Sequence, residues 1–229
     1  MEGTSSSLPL TINNLLLTFK EFFIVWINQI LYYNKIYNQL TFDKFKSFEL
    51  IIYKNRNPLI QQYLNDLIIN IINNLIVSQS NGLNEINCII YNTNTNQIKS
   101  KYLIKFHNFI INLQQTINNL DDIANDQSSK LNIEGIDWQE IYTQFNSILF
   151  HHIQQLKQLN IDDNRDDTNF FKILVDLDEQ INPTTSNWVR LQQQQTVESY
   201  DQPIEKKDYI PIGNVDLQII NFDLYNEIF

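Results

Sequence analysis

A helical pattern near the N-terminus is apolar around most of its circumference. Apolar residues recur at helical spacing at Ile12, Leu15, Leu16, Phe19, Phe22, Phe23, Trp26, Ile27, Ile30 and Tyr37. Leu17, Ile24 and Val25 add apolar surface on the other side. A helix of this kind is stable only when other elements cover it. We therefore expect this helix at the centre of the fold.

The same segment, Leu15 to Tyr33, is the only stretch with the apolar character of a membrane span. It contains Lys20, Glu21, Asn28 and Gln29, which would lie deep in the lipid. The residues before it also lack the basic and apolar regions of a secretory signal. The sequence therefore predicts a buried helix and no association with a membrane.

The middle of the chain alternates between strand and helix patterns. Phe48–Tyr53 is typical of a strand, and Asn57 with Pro58 marks the start of a second helix that runs to about Val77. Apolar and polar residues then alternate in two runs, at Ile86, Cys88 and Ile90 and at Ile98, Tyr102, Ile104 and Phe106. The polar segment Asn92–Gln97 separates these runs, so they predict an antiparallel hairpin.

A third long helix is predicted after Asp137, which forms a capping-box pattern with Glu140. Its apolar stripe consists of Trp138, Ile141, Tyr142, Phe145, Ile148, Leu149, Ile153 and Leu156. Phe170–Leu177 has the pattern of a further strand, and from Asp178 to Phe229 the chain is interrupted by prolines and a glutamine run. Helices mixed with hairpin strands predict an α+β domain, with three long helices packed on an antiparallel sheet.

The length of 229 residues and the hydrophobic content of 43% fit a single domain. We predict a flexible N-terminus at residues 1–11 and one domain at 12–229, with a core at 12–177 and a distinct C-terminal segment at 178–229. Cys88 is the only cysteine, and we expect it to pack as a small apolar side chain. A chain that cannot form an internal disulfide is typical of a reducing, intracellular compartment.

The sequence contains no motif of a catalytic or metal-binding site. The four glycines are far apart, so they cannot form a phosphate-binding loop. His151 and His152 are adjacent on a helix and point about 100° apart, which does not suit a shared metal ion. The acidic run Asp162–Asp167 lacks the turn glycine and the terminal glutamate of an EF-hand loop. We expect no catalytic residue, no metal and no cofactor.

The net charge argues against direct binding to nucleic acid. The chain has 16 Lys and Arg residues against 26 Asp and Glu residues, a formal charge of -10. An acidic surface repels a phosphate backbone and gains nothing from the release of its counterions. We expect the isolated chain to bind DNA weakly.

The order of the predicted elements resembles the HORMA-domain family, over nearly the whole chain after about Thr11. Local matches are Ile30-Leu31-Tyr32-Tyr33 followed by Tyr37, then Asn57-Pro58 before Gln62-Tyr63-Leu64, and last Ser186-Asn187-Trp188-Val189. Within the family these pieces are most similar to the accessory subunit of translesion DNA polymerase zeta. The last piece resembles the fungal members most.

The resemblance implies a nuclear, non-catalytic adaptor that acts in translesion DNA synthesis and mutagenic DNA damage tolerance. In that family the C-terminal segment is a safety belt, which would correspond to residues 178–229. It folds across an extended, proline-containing peptide of the B-family catalytic subunit, and the peptide adds to an edge of the sheet. By the same resemblance, Tyr63 faces the peptide and Trp188 lies in the belt over it. The alternative is that both are ordinary core aromatics.

The resemblance also implies a second partner, the C-terminal domain of the Y-family scaffold polymerase. The family binds it through a leucine-tyrosine pair, which corresponds here to Leu224 and Tyr225. Asp223 replaces the glutamine that precedes the pair in vertebrates, and Tyr209 stands where an aliphatic residue is usual. Ser147 occupies the position of a vertebrate arginine used for self-association, which leaves homodimerisation open.

Two other interpretations stay open. A HORMA protein of the spindle checkpoint or of the meiotic axis would hold a different peptide with the same kind of belt. An enzyme would need a convergent polar pocket, which the sequence does not reveal.

Overall fold

The computed structural model describes residues 10–72, 83–109, 137–159, 169–177, 189, 208–217 and 220–228. The helices within these residues are α1 Ile12–Tyr33, α2 Pro58–Ile71 and α3 Trp138–Lys157. The strands are β1 Phe42–Ser47, β2 Leu50–Asn55, β3 Leu83–Asn92, β4 Ile98–Phe109, β5 Asn169–Leu177, β6 Asp208–Asp216 and β7 Ile220–Ile228. The predicted extension of the second helix to about Val77 lies outside the described residues.

The strands β3 to β7 form one antiparallel sheet with the order β5-β3-β4-β7-β6, and β1 and β2 form a separate hairpin. The predicted hairpin of β3 and β4 is confirmed, with Ile86 opposite Ile104 and Cys88 opposite Tyr102. Cys88 is fully buried, and burial raises the pKa of its thiol. The three helices pack on the sheet, which confirms the α+β prediction.

Helix α1 lies at the centre of the hydrophobic core, as predicted. Phe22 stacks near Phe145 of α3 and Phe222 of β7, with ring centroids 4.9 Å and 5.5 Å away. The segment Asn14–Tyr33 is long and apolar enough to cross a membrane, and 67% of it is buried inside the protein. This extent of burial confirms the prediction that the segment is a core helix.

The end of α1 differs from the sequence prediction, which continued its apolar pattern to Tyr37. The helix ends at Tyr33 because Lys35 adopts a positive φ of 53°. The Ile36 N–H then donates to the Leu31 carbonyl at 3.1 Å, and the Lys35 N–H donates to the Tyr32 carbonyl at 3.2 Å. These two bonds form a Schellman motif, which usually carries glycine at the left-handed position. Because lysine occupies this position, the sequence has no glycine to mark the end of the helix.

The prediction of a strand at Phe48–Tyr53 is wrong at its start and misses β1. Phe48 and Glu49 form the turn between β1 and β2, with φ angles of 46° and 59°. Hairpin turns with two positive φ angles usually contain asparagine and glycine, because a side chain makes this conformation costly. Phe48 is held there by burial, since its ring packs 5.7 Å from that of Phe145.

Two polar side chains of α1 fix the backbone of β2. The Gln29 amide donates to the Tyr53 carbonyl at 2.8 Å and accepts from the Tyr53 N–H at 3.2 Å. The Asn28 side chain accepts from the Asn55 N–H at 3.0 Å. Both polar residues are buried, so these bonds satisfy groups that would otherwise be costly inside the core. The hairpin is therefore held rigidly against α1.

The predicted cap of the third helix is confirmed, and its predicted stripe is confirmed in part. Asp137 accepts from the Glu140 N–H at 2.8 Å, and the buried residues of the helix are Ile141, Phe145, Ile148, Leu149, His152, Ile153 and Leu156. Tyr142, which was predicted in the stripe, is 45% exposed. His152 is fully buried between the rings of Trp26 and Tyr102, at centroid distances of 6.3 Å and 5.9 Å.

We predict that His152 makes the fold sensitive to acid. Burial lowers the pKa of His152 to about 3, which the nearby Asn226 side chain opposes only in part. An unfolded histidine has a pKa of about 6.5, so only the unfolded chain takes up this proton between about pH 6.5 and about pH 3. The free energy of unfolding should therefore decrease as the pH is lowered through that window, by up to about 1.4 kcal/mol per pH unit for this group.

Urea unfolding at a series of pH values between 7 and 5 measures this effect as the slope of the unfolding free energy. The slope should be shallower in His152→Leu than in the wild type. His151→Gln is the matched control, because the neighbouring His151 is exposed. Equal slopes in wild type and His152→Leu would contradict the prediction.

Candidate functional site

The two edges of the large sheet are formed by β5 and β6. Among the described strands, β5 pairs only with β3, so its other side is a free edge. The chain leaves β5 at Leu177 and enters β6 at Asp208, which lies at the opposite edge. Four strand spacings of about 4.8 Å separate the two edges by roughly 19 Å. The connection at residues 178–207 therefore begins beside the free edge and ends across the sheet.

An aromatic cluster of Tyr37, Tyr63 and Phe171 lies where α2 meets β5. The Phe171 ring lies 6.1 Å from Tyr63 and 6.5 Å from Tyr37, both edge-on. Tyr63 remains 48% exposed, so part of its ring is available beside β5. Phe171 faces the helices because it lies opposite Ile90, an inward residue of β3.

Local sequence explains why Tyr63 takes this position. Asn57 caps α2 by accepting from the Leu59 N–H at 3.0 Å, and Pro58 begins the helix, as predicted. This start turns Leu64 and Ile68 into the core and leaves Tyr63 at the border of the buried stripe. Burial, with a smaller contribution from the Cys88 thiol, raises the pKa of Tyr63. Its hydroxyl therefore stays protonated and can donate a hydrogen bond.

No protein-family model matches the chain, and no curated protein matches its sequence. Solved structures match its fold over almost the full length. A chain of the crystal structure of the mitotic checkpoint complex has a TM-score of 0.66 at 10% identity, covering 93% of this chain and 98% of that one.

Two structures from C. elegans match in the same way. HTP-2 bound to the HIM-3 closure motif has a TM-score of 0.60 at 11% identity, with 97% of this chain and 93% of that chain covered. HTP-1 bound to the HIM-3 closure motif has a TM-score of 0.58 at 12% identity, with 96% and 93% covered. The chain has a HORMA-like fold. Identities this low establish the architecture alone.

The C-terminal part of this HORMA-like fold is anchored to both the sheet and α3. Strand β7 pairs with β4, and β6 pairs with β7. The Gln144 amide of α3 accepts from the Asp216 N–H at 2.9 Å and donates to the Asp216 carbonyl at 3.1 Å. The sheet pairing and this double bond hold β6 and β7 at the edge away from β5.

The predicted peptide-binding residues are only partly described. Tyr63 lies next to the edge strand β5, with its ring 6.1 Å from that of Phe171. Trp188 lies outside the described residues, and the next residue, Val189, is 87% exposed. Phe171 was missed by the sequence prediction. Two adjacent phenylalanines in a strand point to opposite faces, so the pair Phe170-Phe171 did require one of them to face the helices.

Two of the predicted scaffold-binding residues, Leu224 and Tyr225, lie on opposite faces of β7. Leu224 points to the helix side and is fully buried in the core. Tyr225 points to the other face, where its hydroxyl donates to Asp223 at 2.9 Å. The same carboxylate oxygen lies 2.8 Å from the His107 ring nitrogen. Tyr209 lies in β6 opposite Glu227 of β7.

Among the described residues, no group of three or more histidine, cysteine or acidic side chains is arranged to hold a metal ion. The candidate site combines the edge strand β5, which has no second partner strand among the described residues, with a half-exposed tyrosine on α2.

Proposed function

We propose that this chain is a non-catalytic adaptor that binds an extended peptide of a partner protein along the free edge of β5. The observation that carries the proposal is the placement of β5 and β6 at opposite edges of the sheet. A peptide added to β5 would lie beside the start of residues 178–207, which would act as the belt over it. The HTP structures that share this fold contain closure motifs, which supports a peptide ligand.

Strand addition supplies only part of the affinity that such a site needs. A main-chain hydrogen bond contributes about 0.5–1.5 kcal/mol net, so tight binding also requires buried side-chain anchors. Tyr63 and Phe171 can provide one side of such an anchor, since Phe171 belongs to the edge strand and Tyr63 packs against it. Trp188 would provide the other side from within the belt.

The first candidate class is a checkpoint or meiotic adaptor, because the solved structures with this fold come from a mitotic checkpoint complex and from closure-motif complexes. The second candidate is the accessory subunit of polymerase zeta, in which the peptide would come from the B-family catalytic subunit. The local sequences around Tyr33, Tyr63 and Trp188 favour it. We propose a nuclear location under either assignment.

A pull-down from nuclear extract, with the full chain as bait, separates the two classes. Recovery of a checkpoint or meiotic-axis protein supports the first candidate, and recovery of a B-family polymerase supports the second. A Tyr63→Ala bait is the control, because a partner held at the β5 edge should be depleted from its eluate. A partner recovered equally well by both baits is not held at this edge.

Under the second candidate, Tyr225→Ala is expected to weaken binding of a Y-family scaffold polymerase domain while the catalytic-subunit peptide stays bound. Tyr225 is the residue to test because Leu224 supports the core. Titration of the mutant with each partner separately measures the effect, and Tyr225→Phe shows whether the hydroxyl that bonds Asp223 is needed. Loss of both partners from a folded mutant would rule out this surface.

A further inference from the structure

The hairpin of β1 and β2 is basic on a protein that is otherwise acidic. It carries Lys44, Lys46 and Lys54, and Arg56 follows directly after β2, whereas the whole chain has a formal charge of -10. Arg56 forms an exposed ion pair with Asp43 at 3.8 Å. Among the described residues, no carboxylate lies within ion-pair distance of the three lysines. The register places Lys44, Lys46 and Ile51 on one face of the hairpin, and Lys54 on the other face with Phe45. We call Lys44, Lys46 and Ile51 the basic hairpin surface.

Each face of the hairpin also exposes an apolar side chain. Ile51 is 70% exposed and lies directly opposite Lys46 in the hairpin register, on the same face as Lys44. Phe45 is 50% exposed on the other face, where the Lys54 ammonium lies 5.8 Å from the centre of its ring. An exposed isoleucine flanked by unpaired cations combines the two features of a protein-binding surface, an apolar contact and a set of charges around it.

The hairpin backbone is fixed before any partner arrives. Gln29 and Asn28 bind β2 from α1, and Phe48 packs the turn against α3. A surface held from both ends loses little conformational entropy when it binds. The positive φ of Phe48 and Glu49 is maintained by the same contacts.

We infer that the basic hairpin surface binds an acidic segment of a partner protein that carries a bulky apolar side chain. The lysines fit carboxylates, and Ile51 fits the apolar side chain. A nucleic acid fits less well, because Ile51 offers no ring for a base to stack on, and Phe45 lies with Lys54 on the other face of the hairpin. Charges farther than about 8 Å are screened at physiological salt, so a short acidic segment responds mainly to the local lysines.

Fluorescence anisotropy with the full chain tests this inference with three labelled probes. The first is an acidic peptide with a central leucine, the second has serine in place of that leucine, and the third is a single-stranded oligonucleotide of matched charge. The first peptide should bind most tightly. Its affinity should fall when salt is raised from about 0.1 M to about 1 M, which shortens the screening length from about 10 Å to about 3 Å.

Lys46→Glu should weaken the leucine peptide about five- to ten-fold, since it turns an attraction into a repulsion at an exposed site. Ile51→Ser should reduce its affinity to that of the serine peptide. Lys105→Glu, on an exposed lysine of β4, is the matched control for net charge and should change nothing. Circular dichroism confirms that each variant is folded.

Three results would overturn the inference. Equal weakening by Lys46→Glu and Lys105→Glu would show a response to net charge alone. Tighter binding of the oligonucleotide, lost in Lys46→Glu, would assign the surface to nucleic acid. If the acidic peptides do not bind, or bind equally well at low and high salt, the surface does not recognise an acidic segment. The surface uses neither α2 nor β5, so it can fail while the peptide edge holds, or hold while that edge fails.

Discussion

Tyr63→Ala is expected to weaken binding of a partner's closure-type peptide about 30-fold or more. Truncation of an aromatic anchor commonly costs about 2 kcal/mol or more, which corresponds to that change in affinity. The ring of Tyr63 is half exposed beside β5 and is positioned by Phe171 beneath it. The main-chain donors and acceptors of β5 are unaffected, so the mutant should still offer hydrogen bonds to the peptide but bind it more weakly.

The measurement uses a labelled peptide whose sequence is taken from the partner recovered in the pull-down. Its rate of dissociation from each variant is compared, because affinity changes within one interface lie mostly in the dissociation rate. Tyr142→Ala is the matched control, since Tyr142 is a tyrosine of similar exposure, 45%, on α3. Tyr63→Phe isolates the hydroxyl. If Tyr63→Ala and Tyr142→Ala release the peptide equally slowly, Tyr63 does not contact it.

Trp188→Ala should act in the same assay by speeding dissociation, because the belt would lose its aromatic contact over the peptide. A folded Trp188→Ala protein with the wild-type rate would instead identify Trp188 as a core residue.

The parts of the fold that the sequence predicts well are those with a strong local period. The apolar residues of α1 recur so densely that burial is the only stable solution, and all of Leu16, Phe19 and Phe23 are fully buried. The alternation in β3 and β4 likewise predicts their pairing and the inward face of Cys88. These features depend on neighbouring residues alone.

The parts that the sequence does not predict depend on distant contacts. The turn at Phe48 and Glu49 has no turn residues, and its backbone is stable because Phe145, far along the chain, covers Phe48. The end of α1 has lysine in place of glycine at the left-handed position. Phe171 joins Tyr63 only once β5 pairs with β3, which no local pattern contains.

The scaffold-binding prediction shows a case in which a local signal was present. Phe222 and Leu224 are two apart in β7, and both are fully buried, so Tyr225 has to face the other side of the sheet. The two side chains of a leucine-tyrosine pair in a strand point to opposite faces of the sheet. The period of two therefore separates a core residue from a surface residue within the motif.

Phe222→Ala is expected to cost about 3–5 kcal/mol of unfolding free energy, the usual range for a buried phenylalanine. The ring of Phe222 is fully buried among Phe19, Phe22, Phe106 and Phe145, with centroid distances of 5.5 to 6.5 Å. A domain has only about 5–15 kcal/mol of stability in total, so the mutant should be close to unfolding at ordinary temperature.

Urea unfolding followed by circular dichroism measures this cost against Phe170→Ala, the same truncation at a ring that is 50% exposed on β5. The half-exposed ring buries less surface, so its truncation should cost clearly less. Phe222 reaches the core from β7, near the end of the C-terminal segment, and it contacts α1, α3 and β4 there. A large cost at Phe222 therefore means that the C-terminal strands are an integral part of the folded domain in solution. Equal costs for the two variants would mean that β7 is not docked as described, and the placement of β6 at the edge opposite β5 would lose its support.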